Sequence, residues 1–269
     1  MPKTTYGATT AGTAISTMTE DAIYVRDRNL VDELIGKVDF TSMFVLHLRG
    51  RLPDPGEREV IDSILVTLME HGLTPSTIAA RMIYTGSPDA LQGAVAGGLL
   101  AAGSVFLGSM EQLAELLQAG VPRIEAGETT AEGYARETIE RLLGEGAALP
   151  GFGHKDHHPD DPRTATLLGI ARRNGLAGPH ADLLAVFAAT IDELKGRHIT
   201  VNATGAIAAV LSDLGYPWQI MRGFSLVARA AGIVGHLLEE QGEPLGREIW
   251  DLVEGSVPYS GEVQVERAG

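Results

Sequence analysis

The stretch PGFGHKDHHPDDPR, from Pro150 to Arg163, decides how the rest of the chain is read. Its glycines permit a positive φ or a close backbone approach, and its prolines keep a helix from crossing it. It presents His154, His157 and His158 and closes on Asp161-Pro162-Arg163. Residue types alone leave two readings open. One is an exposed polar connector. The other is a loop for an anionic ligand, in which imidazole moves a proton and guanidinium grips a carboxylate.

The chain's totals narrow the second reading. At 269 residues it can bury a large core, as one domain or as two interleaved lobes. A net charge of -14 argues against nucleic acid as a partner, because phosphate binding needs a basic footprint, yet it leaves room for a local basic pocket. With Cys 0, thiolate nucleophiles, thiolate metal sites and disulfides are excluded. The opening MPKTTYGATTAGTAIS lacks an apolar signal core, and no segment approaches the length of a spanning helix. The expectation is a cytoplasmic protein with no membrane partner.

Helical periodicity dominates on both sides of the loop. Upstream, Phe40 to Leu48 is a short apolar piece. After the breaker Pro53-Asp54-Pro55-Gly56, the residues Val60, Ile61, Ile64, Leu65 and Leu68 recur at helical spacing. That helix runs to about Glu70, with His71 at its end and Gly72 as the stop. Thr74-Pro75 and Ser87-Pro88 start helices over 75–84 and 88–102. The second is rich in Gly and Ala and suits close packing, within this chain or against a second copy. Two further helices span Glu111–Gln118 and Thr130–Leu143, separated by turn-rich Gly120–Glu128. Downstream, 163–173, 179–194, 204–214 and 218–241 read as helices, and a short piece follows over 247–254. The longest carries Arg229 and His236 near one face, about two turns apart. Residues 1–18 read as an irregular arm and 29–35 as a short apolar piece. Strand signals are confined to Val45-Leu46 and Ile199–Val201, so the chain is mainly α.

Several chemistries fail on spacing. His154, Asp156, His157 and His158 crowd together, but no helical H-x-x-x-H pair fixes a metal geometry, and no metal is expected. Gly93–Gly108 lacks a P-loop Lys-Ser/Thr, Gly151-Phe152-Gly153 lacks the third glycine of a dinucleotide fingerprint, and there is no G-x-S-x-G elbow. A carboxylate site built from His71, His154, Arg163 and Arg229 is more coherent. Spacing does not show that the four converge, and singly each is more often structural.

Four segments, in order, resemble the citrate synthase superfamily. Glu70-His71-Gly72-Leu73-Thr74-Pro75-Ser76-Thr77 is similar to its E-H-x-x-x-x-S-T segment. Pro150 to His154 with Asp161-Pro162-Arg163 resembles its P-G-F-G-H…D-P-R loop, Thr200-Val201-Asn202 stands at its N-V-D, and Ala228-Arg229 to Gly235-His236 resembles its A-R-x-x-G-x-x-x-H helix. The resemblance runs from about Thr13 onward and is closest to the citryl-CoA lyase branch, in which phenylalanine can stand where Phe106 does. It implies an all-α fold with a large domain (1–106 and 216–269), a small domain (107–215), an active site in the cleft, and a homodimer.

By the same resemblance, His71 and His154 contact a carbonyl or hydroxyl oxygen, Arg163 and Arg229 hold carboxylates, and His154 removes the hydroxyl proton in cleavage. No cofactor is expected to be tightly bound. A coenzyme A thioester arrives as substrate, with Gly151, Gly153 and Lys155 as its contacts. The family's acid/base aspartate falls on Asn202, which can hydrogen-bond an enolate but cannot carry its proton. The implied reaction is cleavage of citryl-CoA or a related 3-hydroxyacyl-CoA. The alternatives are a condensing enzyme of the same superfamily and a non-catalytic binder of tricarboxylate or CoA. His157 and His158 are left as bystanders.

Overall fold

The computed structural model describes residues 12–261, and most of these are helical. Polar residues at the starts set most of the boundaries. Asp39 caps α1 (Phe40–Arg49), Asp54 caps α2 (Pro55–Met69) and Thr74 caps α3 (Pro75–Gly86). In each the side-chain oxygen accepts a backbone N–H of the first turn, a bond that contributes about 1 kcal/mol. Thr130 does the same for α6 (Ala131–Gly144), Asp161 for α7 (Pro162–Arg173) and Asn202 for α9 (Ala203–Asp213). For α8 (Pro179–Lys195) the cap comes from a distance, because Asp213 accepts from the backbone N–H groups of Gly178, His180 and Ala181.

The remaining elements depart from the sequence reading in instructive ways. The helix expected from 88 is α4 (Leu91–Leu100), since Ser87 ends α3 and Ala90 makes no side-chain cap. Its small residues are spent inside the chain: a Cβ on Gly97 would strike Ile83, and one on Gly98 would strike Ala80 and Ile233. The turn expected over 120–128 is confined to its end: α5 runs Ser109–Glu125 through Pro122, and the chain turns only from 126, with Gly127 at φ 72°. Gly120 is needed there because a Cβ would lie 2.3 Å from the Tyr134 ring. Val45 and Leu46 are fully buried in α1 and are no strand. Leu30–Leu34 forms one π-helical turn.

Of the expected N-terminal arm, residues 1–11 lie outside the described residues. Beyond them β1 (Ser16–Met18), β2 (Ile23–Val25) and β3 (Arg28–Asn29) form a small antiparallel sheet that the sequence reading misses. A 3-10 turn (Trp218–Ile220) leads into α10 (Met221–Gly242), and α11 (Gly246–Ser256) follows.

One large apolar core joins α1 and α2 to α5 through α9, and a smaller one joins α3, α4 and α10 through Ala80, Ala94, Ile233 and Leu237. The cleft described next lies between α2, α3 and α10 on one side and the 150–163 loop with the start of α9 on the other. No helix among the described residues is long and apolar enough to cross a membrane.

Candidate active site

The Pro150–Arg163 loop is held by the segment that ends at Asn202. Gly153 donates its N–H to Thr200 O at 2.7 Å, Asn202 donates to Gly151 O at 3.0 Å, and Phe152 bridges Val201. This bridge is what remains of the strand expected at 199–201. Both glycines have a positive φ, 82° and 80°, which only glycine adopts cheaply. They differ in surroundings. A Cβ on Gly151 would sit 2.5 Å from Leu113 and 3.0 Å from Gly205 Cα, whereas one on Gly153 meets nothing within 4 Å. Gly151, expected at CoA, is buried against Leu113 and Gly205 and is not among the residues that line the cleft. Gly153 and Lys155 do line the cleft.

Asp161 closes the loop. Its buried carboxylate accepts from the Arg163 backbone N–H, from Arg163 Nε at 2.9 Å and Nη2 at 2.8 Å, and from Ala203 N at 3.0 Å. Burial would raise its pKa, but the Arg163 bonds outweigh it and hold the group at about 2. Arg163 is thus fixed before any ligand arrives.

His154 is oriented just as firmly. Its Nδ1 accepts the backbone N–H groups of Asp156 and His157, each at 3.0 Å. Burial, and then the charges of His157 and Arg163, lower its pKa, so the neutral ring predominates at pH 7. With Nδ1 accepting, the proton of the neutral ring resides on Nε2. Arg163 Nη2 lies 3.2 Å from that Nε2, and two donors cannot satisfy each other. The Arg163 contact is therefore the one that yields to an incoming carboxylate. This tautomer leaves His154 with an Nε2–H to donate into the cleft.

His71 lies 5.7 Å from His154 between ring centroids. His157, expected to be a bystander, stacks 4.3 Å from His154 and stands edge-on to His71 at 6.4 Å. Its convergence depends on the tight turn at 155–157, and the only sequence signal is its place three residues after His154. Ring nitrogens of these three histidines lie within 4.8 Å of one another, the makings of a three-histidine metal set. The arrangement favours hydrogen bonding instead, because both nitrogens of His154 are already approached by donors, one of them a cation.

Arg229 reaches the cleft from α10. It is 6% exposed, and its Nη1 has no hydrogen-bond partner among the described residues. Burial disfavours its charge, with Glu70 as the opposing carboxylate. An unpaired buried guanidinium is costly unless an anion completes it. Asn202, the cap of α9, accepts from Gly205 N through Oδ1 and donates one amide hydrogen to Gly153 O at 2.9 Å. The second amide hydrogen has no partner among the described residues. His71, His154, Arg163, Asn202 and Arg229 all line one cavity of about 740 Å³. Phe106 stands at its rim, 60% exposed.

A family model described as Citrate synthase, C-terminal domain matches residues 8–249. The chain is 30% identical over 228 residues to Putative citrate synthase 2 of Mycobacterium tuberculosis, covering 82% of this chain and 56% of that protein. It is 25% identical over 232 residues to the citrate synthase of Synechocystis, covering 84% and 56%. The chain thus spans about half the length of the curated relatives it matches. Among solved structures, citryl-CoA lyase from Hydrogenobacter thermophilus matches with a TM-score of 0.83 at 31% identity, over 97% of this chain and 98% of that chain. ATP citrate lyase from Methanosaeta concilii in complex with (3S)-citryl-CoA shares the fold, with a TM-score of 0.75 at 20% identity, over 97% and 43%.

Proposed function

The chain belongs to the citrate synthase family, and from that premise we propose that it is a carbon–carbon lyase acting on citryl-CoA or a related 3-hydroxyacyl-CoA. The observation that carries this reading is the buried, unpartnered Arg229 guanidinium in one cleft with His71, His154 and Arg163. Arg163 and Arg229 take carboxylates of the substrate, and His154 donates its Nε2–H to the hydroxyl oxygen that becomes a ketone. His71, whose ring nitrogens are free of hydrogen bonds among the described residues, accepts the hydroxyl proton. As that O–H bond breaks, the C=O bond forms, the C–C bond breaks, and its electron pair leaves as the enolate of acetyl-CoA. The free amide hydrogen of Asn202 bonds the enolate oxygen, and a proton from water completes the methyl group.

On this reading the thioester arrives as substrate along Gly153 and Lys155. The described residues of 1–106 with 216–269, and those of 107–215, are the two lobes of this reading, with the cleft between them and the large apolar core continuous across both. The exposed apolar residues Leu91, Leu238 and Trp250 on α4, α10 and α11 support a homodimer. Incubation of the purified protein with citryl-CoA, followed by assay for released oxaloacetate, tests the proposal. One observation favours a second reading: with Asn202 where the family carries its acid/base aspartate, the cleft also suits a non-catalytic tricarboxylate binder. Tight citrate binding by calorimetry without oxaloacetate release selects that reading over the first.

A further inference from the structure

His71 stands just past the end of α2, where nothing in the helix itself holds the imidazole in the cleft. Glu70 does this locally. Its Oε1 accepts the backbone N–H groups of His71 at 2.8 Å and Gly72 at 2.7 Å, fixing the turn in which Gly72 takes φ 70°. Its Oε2 accepts from His236 Nε2 at 3.0 Å. On the far side of that ring, His236 Nδ1 faces Arg81 Nη2 at 3.0 Å. A guanidinium only donates, so Nδ1 must accept, and the His236 proton is committed to Nε2 and thus to Glu70.

Arg81 is in turn immobile. It is 1% exposed and bonded to Glu239 and, at 2.6 Å, to the buried Glu240. Glu240 accepts the Gly246 N–H at the start of α11. Every link has one permitted direction: Arg81 donates to His236, His236 donates to Glu70, and Glu70 accepts from the backbone that carries His71. Gly232 lets α10 come close enough, since a Cβ there would lie 2.2 Å from Met69 O. Burial would raise the Glu70 pKa, but the bonds from His236 and the two backbone N–H groups lower it, and the group stays ionised.

We propose that Glu70 and His236 are positioning residues that aim the His71 imidazole into the cleft, with Arg81 as the buried anchor of the chain. The kinetic part of this inference rests on the lyase reading; the structural part does not. His236→Leu removes both ring bonds and keeps the bulk, whereas His236→Gln restores them, its amide donating to Glu70 and its carbonyl accepting from Arg81. Displacement of a reacting group by about 1 Å can cost as much as a hundredfold in rate. His236→Leu is accordingly expected to lower kcat for oxaloacetate release tenfold or more with KM little changed, and His236→Gln to recover most of it.

The second arm follows imidazole resonances by NMR, with the His71 signal identified by its loss in His71→Asn. His236→Leu shifts or broadens the His71 signal and leaves that of His180, bonded to Asp213 elsewhere, unmoved; His236→Gln restores it. Glu70→Gln, on a half-exposed side chain, perturbs His71 in the same way and serves if the leucine variant does not fold. An inactive wild-type protein overturns the lyase reading alone, because the resonances still report. An unmoved His71 signal in His236→Leu and Glu70→Gln, or a glutamine variant as perturbed as the leucine one, overturns the positioning role.

Discussion

Replacing Asn202 by aspartate asks whether the proton carrier is what this cleft lacks. The exchange is isosteric, and the N-cap of α9 survives it, because asparagine and aspartate cap about equally well. A new negative charge at the helix start adds about 0.3–1 kcal/mol. Against that, the amide hydrogen now given to Gly153 O at 2.9 Å is lost. A carboxylate oxygen facing that carbonyl forfeits a bond contributing roughly 1 kcal/mol. The two effects nearly cancel, so the melting temperature is expected to move by no more than about 4 °C. The carboxylate keeps the Gly205 N–H and the helix start as favourable partners but faces Gly153 O, so its charge is favoured on one side and opposed on the other. Restored acid/base catalysis is worth about 10²–10⁴-fold in rate. We expect Asn202→Asp to release oxaloacetate from citryl-CoA at least tenfold faster. A folded variant with unchanged or lower turnover would refute the assignment of residue 202 to the chemistry.

Arg229→Met should raise or preserve the denaturation midpoint while weakening citrate binding by about ten- to a hundredfold, since it removes an unpaired buried charge and its carboxylate bonds together; citrate affinity equal to wild type in calorimetry sinks the role. Asp161, held at about 2 instead of its ordinary 3.8, contributes about 2 kcal/mol that is present above pH 4 and lost as the pH falls toward 2. Asp161→Asn should therefore flatten urea-measured stability across that window, and an unaltered acid profile would contradict the Arg163 clamp. Gly151→Ala should cost about 1–3 kcal/mol more than Gly153→Ala, because both suffer the same φ but only the first meets Leu113 and Gly205; equal denaturation midpoints refute the distinction. Protonated His154 would point an N–H at two backbone N–H groups, so its imidazole signal, identified by its loss in His154→Asn, should titrate by NMR below 6.5, and a midpoint above 6.5 would be inconsistent with that geometry.

The helices were legible where a single side chain settles a boundary. Asp54, Thr74, Asp161 and Asn202 each cap the helix that the pattern expects. Boundaries were lost where tertiary contact overrides the local signal: α5 continues past Gly120 and Pro122, and Gly120 there makes room for the Tyr134 ring. The sheet over 16–29 rests on strands of two and three residues, too short to show alternation. Within the cleft, His71, His154, Arg163, Asn202 and Arg229 could be named individually, but their meeting is a property of the fold. The tautomer of His154 and the arrival of His157 depend on the turn at 155–157, which nothing in HKDHH specifies. The packing role of Gly151 is likewise invisible without Leu113 and Gly205 beside it.

The two arginines of the cleft differ in a way that bears on what Asn202 does. Arg163 is neutralised in advance by Asp161, and an incoming carboxylate gains from it mainly orientation. Arg229 has no such partner among the described residues and supplies the larger electrostatic gain on binding. A carboxylate at position 202 would place a further negative charge in the same cavity and oppose a di- or tricarboxylate. The amide removes that opposition while keeping the α9 cap and the bond to Gly153. The same substitution that weakens proton transfer therefore strengthens anion retention. Citrate affinity and lyase turnover should consequently move in opposite directions when Asn202 becomes aspartate, whichever of the two the native protein depends on.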